Sequence, residues 1–198
     1  MKIYTKAGDK GTTGLYGDKR VQKSSEIIAL VGSLDTANSK LGEVRALYPE
    51  YPHKEDGINL DFILKNLQSS LFCIGAEIVD VREKYEDPIR QEEVETLEAL
   101  IDMFSLTVPP LRTFILPAGN RLAASLFSAR ALIREAELRY WQANDVYAGR
   151  VISLMRENTQ IPLWLNRCSD LLFMMARYAN FSRGQKEIPW TPRFTTES

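Results

Sequence analysis

The sequence predicts an all-α protein, an up-and-down bundle of about five main helices behind a glycine-rich N-terminal loop. Three observations predict it: apolar residues recur at helical spacing through most of the chain, prolines and polar stretches punctuate them, and no strand-like alternation competes. The 198 residues are enough to bury a self-stabilising core without metal or disulfides. No internal repeat or linker divides them, so one domain over 1–198 is expected, made of a loop (1–23), a helical bundle (24–183) and a tail (184–198).

Gly8, Gly11, Gly14 and Gly17 recur at every third position, with Lys6, Lys10, Lys19, Arg20 and Lys23 threaded among them. Such spacing disfavours a helix and lets backbone N–H groups converge on an anion, although a basic arm has the same composition. From Ser24 or Ser25, with serine available as the cap, Ile27, Ile28, Val31, Leu34, Leu41 and Val44 mark one face of a first helix that ends before Pro49. After the polar stretch 48–57, a second helix spans Ile58 to Val81 through Phe62, Leu67, Leu71, Ile74 and Ile78. A third starts near Pro88 and runs through Val94, Leu97, Leu100, Ile101 and Phe104, with Pro109 and Pro110 closing it. Phe114 to Gly119 form a short apolar connector. The fourth helix covers about Asn120 to Asn144, a shorter helical piece lies around Asp145 to Glu157, and the last helix runs from near Pro162 to Arg183.

Composition narrows the function. Lys and Arg number 25 against 26 Asp and Glu, a formal net charge of -1 that favours neither disorder nor a nucleic-acid partner. No apolar run approaches the roughly 20 residues of a membrane span, and no charged-then-apolar leader opens the sequence, so no membrane partner and a cytoplasmic location are expected. The single histidine, His53, has no histidine partner for Ser-His or Cys-His catalysis or a multi-histidine metal site. Cys73 and Cys168 form no C-x-x-C pair and read as free thiols.

Several polar residues stand out. Arg130 and Arg134 are four apart and Glu137 is three further, on one face of the fourth helix. Guanidinium forks suit polyphosphate, while a solvated face with intrahelical pairs fits the same spacing. Asn166 and Asp170, with Arg167 between them, interrupt an apolar stretch and need partners, either a ligand or another helix. Asp35 lies among Gly32, Ser33, Ala37 and Ser39, small residues that admit a neighbouring helix or a flat ligand. Phe114, Phe173, Trp190 and Phe194 either line a pocket for a large planar molecule or belong to the core.

Together these segments resemble the PduO-type ATP:cob(I)alamin (corrinoid) adenosyltransferases, over nearly the whole chain and in the expected order. The opening Tyr4-Thr5-Lys6-Ala7-Gly8-Asp9-Lys10-Gly11-Thr12-Thr13-Gly14-Leu15 is similar to that family's ATP loop, with alanine where threonine is usual. Further matches are Gly32-Ser33-Leu34-Asp35 with Asn38-Ser39, Phe114-Ile115-Leu116-Pro117 with Gly119, and Leu165-Asn166-Arg167-Cys168-Ser169-Asp170 with Phe173. Ala176-Arg177-Tyr178-Ala179-Asn180 and the tail Ile188-Pro189-Trp190 complete the series.

The resemblance implies a ferritin-like, cobalamin adenosyltransferase-like bundle that assembles as a homotrimer with its active sites between subunits. It also implies transfer of the 5′-deoxyadenosyl group of Mg-ATP to the cobalt of cob(I)alamin, with release of inorganic triphosphate. By this analogy Thr5, Lys6, Ala7, Gly8, Thr13, Gly14 and Lys23 wrap the ATP, while Arg134, Glu137 and Asn166 reach it from the helices. Arg130 pairs with Asp35 across the interface, Asp35 lies beside the corrin, and Phe114 and Phe173 occupy its lower side. Arg130, Arg134 and Asp35 are then the catalytic groups. Mg2+ accompanies the nucleotide, no protein-bound metal site is implied, and a reductase and an adenosylcobalamin-dependent enzyme are the partners such a reaction calls for. Glu135 and Leu138 stand where the family's pattern has arginines, which motivates an alternative: a non-catalytic carrier or sensor of corrinoid or ATP with the same fold. A helical interaction protein without a small-molecule site leaves the glycine-lysine loop unexplained, and a Walker-type kinase lacks its Gly-Lys-Ser/Thr signature.

Overall fold

The structure, a computed structural model, describes residues 3–17, 19–50, 57–80, 89–147 and 159–192. Five helices carry the fold: α1 (Glu26–Leu47), α2 (Leu60–Val79), α3 (Gln91–Thr107), α4 (Arg121–Tyr147) and α5 (Ile161–Phe181). The N-terminal loop departs from the strand-free expectation, because β1 (Thr12–Gly14) and β2 (Arg20–Gln22) pair antiparallel with Thr13 opposite Val21. Three-residue strands are too short for alternation to register, which is why the pattern gave no sign of them.

Helix α1 packs between α2 and α4, and α5 packs between α4 and α3. Their shared interior holds Leu30, Leu41, Leu64, Ile74, Leu126, Ile133, Trp164 and Leu172, all at most 1 % exposed. The expected apolar faces turn to the core, with Leu100 and Ile101 half-buried at its edge and two further changes. Ile28 and Val31 are only half-buried and line a groove toward α2, while Phe62 is 61 % exposed because the buried stripe of α2 runs through Leu60, Ile63, Leu64 and Leu67 instead. Contrary to the composition reading, α2 is long and apolar enough to cross a membrane. It carries Asp61, Lys65 and Glu77, however, and packs one stripe into the core as a bundle helix does.

Helix ends follow local chemistry. Ser25 occupies the N-cap of α1, yet its hydroxyl makes no cap bond, and only its carbonyl accepts, from Ile28 and Ala29 N–H at 3.0 Å. The helix stops at Leu47, where a 3-10 turn over Tyr48–Glu50 takes in Pro49. Helix α3 begins at Gln91, three residues later than expected, and the Glu93 carboxylate accepts the Arg90 N–H at 2.8 Å. Pro162 sits in the first turn of α5, as its fixed φ favours. Asn120 caps α4, its Oδ1 accepting from Ala123 N–H at 2.9 Å. That helix continues through Tyr147, absorbing the start of the shorter piece expected at 145–157; the rest of that piece lies outside the described residues, as do His53 and Phe194.

Before α4, Gly119 has φ +125, and a Cβ there would run into the Asn180 side chain. Asn180 is buried and bonds the Asn120 N–H at 3.1 Å and the Ala118 carbonyl at 2.9 Å, so the chain must pass this close. Gly119→Ala is expected to cost about 2 to 4 kcal/mol in chemical denaturation, from backbone strain plus a steric clash with a fixed side chain. Gly184 also has positive φ but open space around it, so Gly184→Ala should cost only about 1 kcal/mol.

Candidate functional site

The glycine-lysine segment is a shaped loop. Lys6 takes φ +60 and Gly11 φ +81 in the turns of residues 5–11 that precede β1, and Gly17, with φ +118, lies in the connection to β2. Arg20 pins them: its Nη2 donates to the Ala7 carbonyl at 2.7 Å and to Thr12 Oγ1 at 3.0 Å. The Lys23 N–H donates to the Gly11 carbonyl at 2.8 Å, and the Lys23 ammonium lies so close to Gly8 that a Cβ there would be 3.1 Å from it. Thr5 Oγ1 accepts from the Ala7 N–H at 3.4 Å. Thr5, Lys6, Ala7, Gly14 and Lys23 are exposed, and Gly8 and Thr13 half-buried. Among the described residues Lys6, Lys10, Lys19 and Lys23 form no ion pair, so the loop presents uncompensated positive charge beside open backbone, the arrangement a polyphosphate requires.

The loop is anchored to the bundle by Leu15, which is buried, and by Tyr16, whose N–H donates to the Val79 carbonyl at 3.0 Å at the end of α2. A groove of about 510 Å³ opens between α1 and α2, lined by Val31, Gly32, Asp35, Phe72, Gly75 and Val79. Added Cβ atoms at Gly32 and Gly75 would meet nothing within 4 Å, and Phe72 is 72 % exposed. Asp35 is exposed and has no hydrogen bond or ion pair among the described residues.

The second group lies on the other side of the chain, along the seam of α4 and α5. Arg130 stacks its guanidinium 5.6 Å from the centre of the Phe173 ring, which packs on Phe127 at 5.9 Å. The Arg130 Nε is buried without a hydrogen-bond partner among the described residues. Burial pushes its pKa below the usual arginine value, the nearby Arg134 adds to the shift, and Asp170 opposes it. One turn on, Arg134 is exposed and unpaired among the described residues. Asn166 donates to Glu137 Oε1 at 3.3 Å and accepts from Arg167 at 2.9 Å, while Arg167 is held by Glu98 at 2.8 Å. Asn166 is therefore fixed from both sides, and Arg130 and Arg134 on the same seam make no ion pair among the described residues.

The expected residues thus fall into two groups. Asp35 opens onto the α2 side of α1, whereas Arg130 faces α5, and no hydrogen bond or ion pair among the described residues joins the loop group to the seam group. Phe114 is separate again: it is 77 % exposed and meets Trp190 edge-on, with ring centroids 6.5 Å apart, while Phe173 is seated against Phe127 and Arg130. Glu135, the residue of concern on α4, is paired with Arg139 at 2.9 Å, and Leu138 is 52 % exposed. Burial pushes the Cys168 thiol pKa well up, which makes it an inert core residue. No cluster among the described residues could hold a metal ion.

Sequence reasoning named Arg20, Arg167, Arg177 and Asn180 but gave them no role. Each acts through backbone carbonyls or distant side chains, and no spacing rule reaches across those separations.

Residues 3–179 match the family described as Cobalamin adenosyltransferase. The corrinoid adenosyltransferase of Bacillus subtilis is 35 % identical over 193 residues, covering 96 % of this chain and 92 % of that protein. The corrinoid adenosyltransferase of Mycobacterium tuberculosis is 33 % identical over 196 residues, covering 96 % and 93 %. A variant PduO-type ATP:corrinoid adenosyltransferase from Lactobacillus reuteri, solved complexed with cobalamin and ATP, superposes with a TM-score of 0.80 at 31 % identity, covering 96 % of each chain.

Proposed function

The chain belongs to the cobalamin adenosyltransferase family, and from that premise we propose that it transfers the 5′-deoxyadenosyl group of Mg-ATP to the cobalt of cob(I)alamin and releases inorganic triphosphate. The observation that carries the reading is a cationic loop together with a helix seam whose Arg130 and Arg134 make no ion pair among the described residues. Reduced cobalt supplies the nucleophile itself, so the protein needs no general base, in keeping with a site built from arginine, lysine, backbone amides and one carboxylate. Its task is to orient the ATP 5′-carbon and to neutralise the departing triphosphate.

In this reading Thr5, Lys6, Ala7, Gly8, Thr13, Gly14 and Lys23 wrap the nucleotide, with Arg134, Glu137 and Asn166 reaching it from the seam. Magnesium fits as a companion of the phosphates rather than in a protein cage, since the ion commonly keeps its waters and few protein ligands. Within one chain Asp35 and Arg130 face different neighbours, which supports a homotrimer in which they pair across an interface and close the site. Asp35 then stands beside the corrin, with Phe114 and Phe173 on its lower side. A cytoplasmic location, a reductase that delivers the electron and an adenosylcobalamin-dependent enzyme that takes the product complete the proposal.

The pairing of Glu135 with Arg139 supports the reading that its carboxylate is turned away from the triphosphate. Glu135→Ala is expected to change kcat/KM for ATP by less than about threefold, the scale of an exposed ion pair. Leu138 lies one helical turn from Arg134 with half its surface open, where an added guanidinium would reach the same anion. Leu138→Arg should lower KM for ATP about three- to tenfold in steady-state assays. An unchanged or higher KM would place Leu138 outside the triphosphate site.

A further inference from the structure

We propose that Glu98, on α3, is a positioning residue of the nucleotide site and that it sets the orientation of the Asn166 amide through Arg167. The proposal rests on the assignment of Asn166 to ATP. Four side chains on three helices form one hydrogen-bonded chain. Glu98 Oε1 accepts from Arg167 Nε at 2.8 Å, Arg167 Nη1 donates to Asn166 Oδ1 at 2.9 Å, and Asn166 Nδ2 donates to Glu137 Oε1 at 3.3 Å. The chain thus runs from α3 through α5 to α4 and ends on the face that carries Arg134.

Each link depends on the one before it. Neighbouring residues of a helix point about 100° apart, so the bond from Arg167 to Asn166 is not given by their places on α5 and depends on where the Arg167 side chain is held. The Glu98 carboxylate holds it, from a helix that is itself fixed. Val94 and Leu97 are 0 and 4 % exposed, and Phe104 meets Tyr178 of α5 with ring centroids 5.2 Å apart. An asparagine amide has an acceptor end and a donor end of nearly the same size, and its partners decide which way it points. With Oδ1 taken by a cation, Nδ2 faces α4. Glu137 accepts one of its two N–H bonds, and the other, without a partner among the described residues, is left for an oxygen of the nucleotide. The fold gains little from the pair itself. The Glu98 and Arg167 side chains are 45 and 32 % exposed, and such ion pairs add little stability, so the amide they orient is the better account of the arrangement.

The test measures the Kd of Mg-ATP by calorimetry on the full chain, with the unfolding temperature and KM for the corrinoid alongside. Because its readout is binding, it is independent of whether the chain transfers the adenosyl group. Glu98→Ala should raise the Kd about five- to tenfold, the scale of one hydrogen bond, with KM for the corrinoid and the unfolding temperature close to wild type. Glu98→Gln keeps a neutral acceptor for Arg167 and should recover most of the affinity. In a chain that already carries Asn166→Ala, Glu98→Ala should have no further effect, since it acts through the amide. A merely structural Glu98 would lower the unfolding temperature and weaken ATP binding equally with or without Asn166. Should the alanine variant not fold, Glu98→Asp, whose carboxylate falls one carbon short of Arg167, is read in its place. A wild-type Kd in the Glu98 variant while Asn166→Ala weakens binding, or an equal loss in both backgrounds, overturns the proposal and leaves Asn166 in the nucleotide site. A wild-type Kd in Asn166→Ala overturns both.

Discussion

Arg134→Ala is expected to lower kcat/KM for ATP by about a hundredfold or more, because in the proposed site its guanidinium would supply two charge-assisted hydrogen bonds of about 1.5 to 3 kcal/mol each to the leaving triphosphate. The folded chain should not notice the change: Arg134 is exposed and makes no ion pair among the described residues, so its loss removes no internal contact. Arg134→Lys should recover part of the activity, since an ammonium keeps the charge and loses the fork. Steady-state kinetics on both variants, with unfolding curves alongside, check this. Unchanged kcat/KM for ATP in the alanine variant would remove the seam from the nucleotide site.

The second large effect is expected at Asp35. Asp35→Asn should reduce kcat/KM for the corrinoid about ten- to a hundredfold and leave KM for ATP nearly constant, as removal of one member of a desolvated charge pair does. Arg130 is the predicted partner. Its Nε is buried and unsatisfied among the described residues, a state that costs free energy unless an anion from elsewhere reaches it. Asp35→Asn and Arg130→Ala should therefore be strongly non-additive in a double-mutant cycle, although in one chain the two residues face different helices. Additive losses would show that the two do not pair.

The bundle was legible because its signal is periodic. Leu34, Leu41 and Val44, or Leu67, Leu71, Ile74 and Ile78, repeat at helical spacing and are buried as that spacing requires. The hairpin at Thr12 and Arg20 was not, since three residues carry no period and its closure depends on Arg20 bonding carbonyls that no side-chain pattern reveals. The site was legible only in pieces. Arg130, Arg134 and Glu137 announce a shared face, and Asn166 announces a need for a partner, but spacing alone favours a solvated face for the first three and leaves another helix open as the partner of Asn166. What spacing could not show was the unsatisfied Arg130 Nε, the capture of Glu135 by Arg139, or the tether from Arg177 to Glu187. These are properties of packing, and they separate an arginine waiting for an anion from one already paired.

One assay tests adenosyl transfer directly: chemically reduced cob(I)alamin and Mg-ATP are mixed with the protein while the cob(I)alamin absorption band is followed. Adenosyl transfer would show as loss of the band, a light-sensitive cobalt-carbon product and an equal amount of inorganic triphosphate. A folded protein that binds ATP or corrinoid yet leaves the band intact would contradict it, and would make the chain a carrier or sensor that keeps the family's fold without its chemistry.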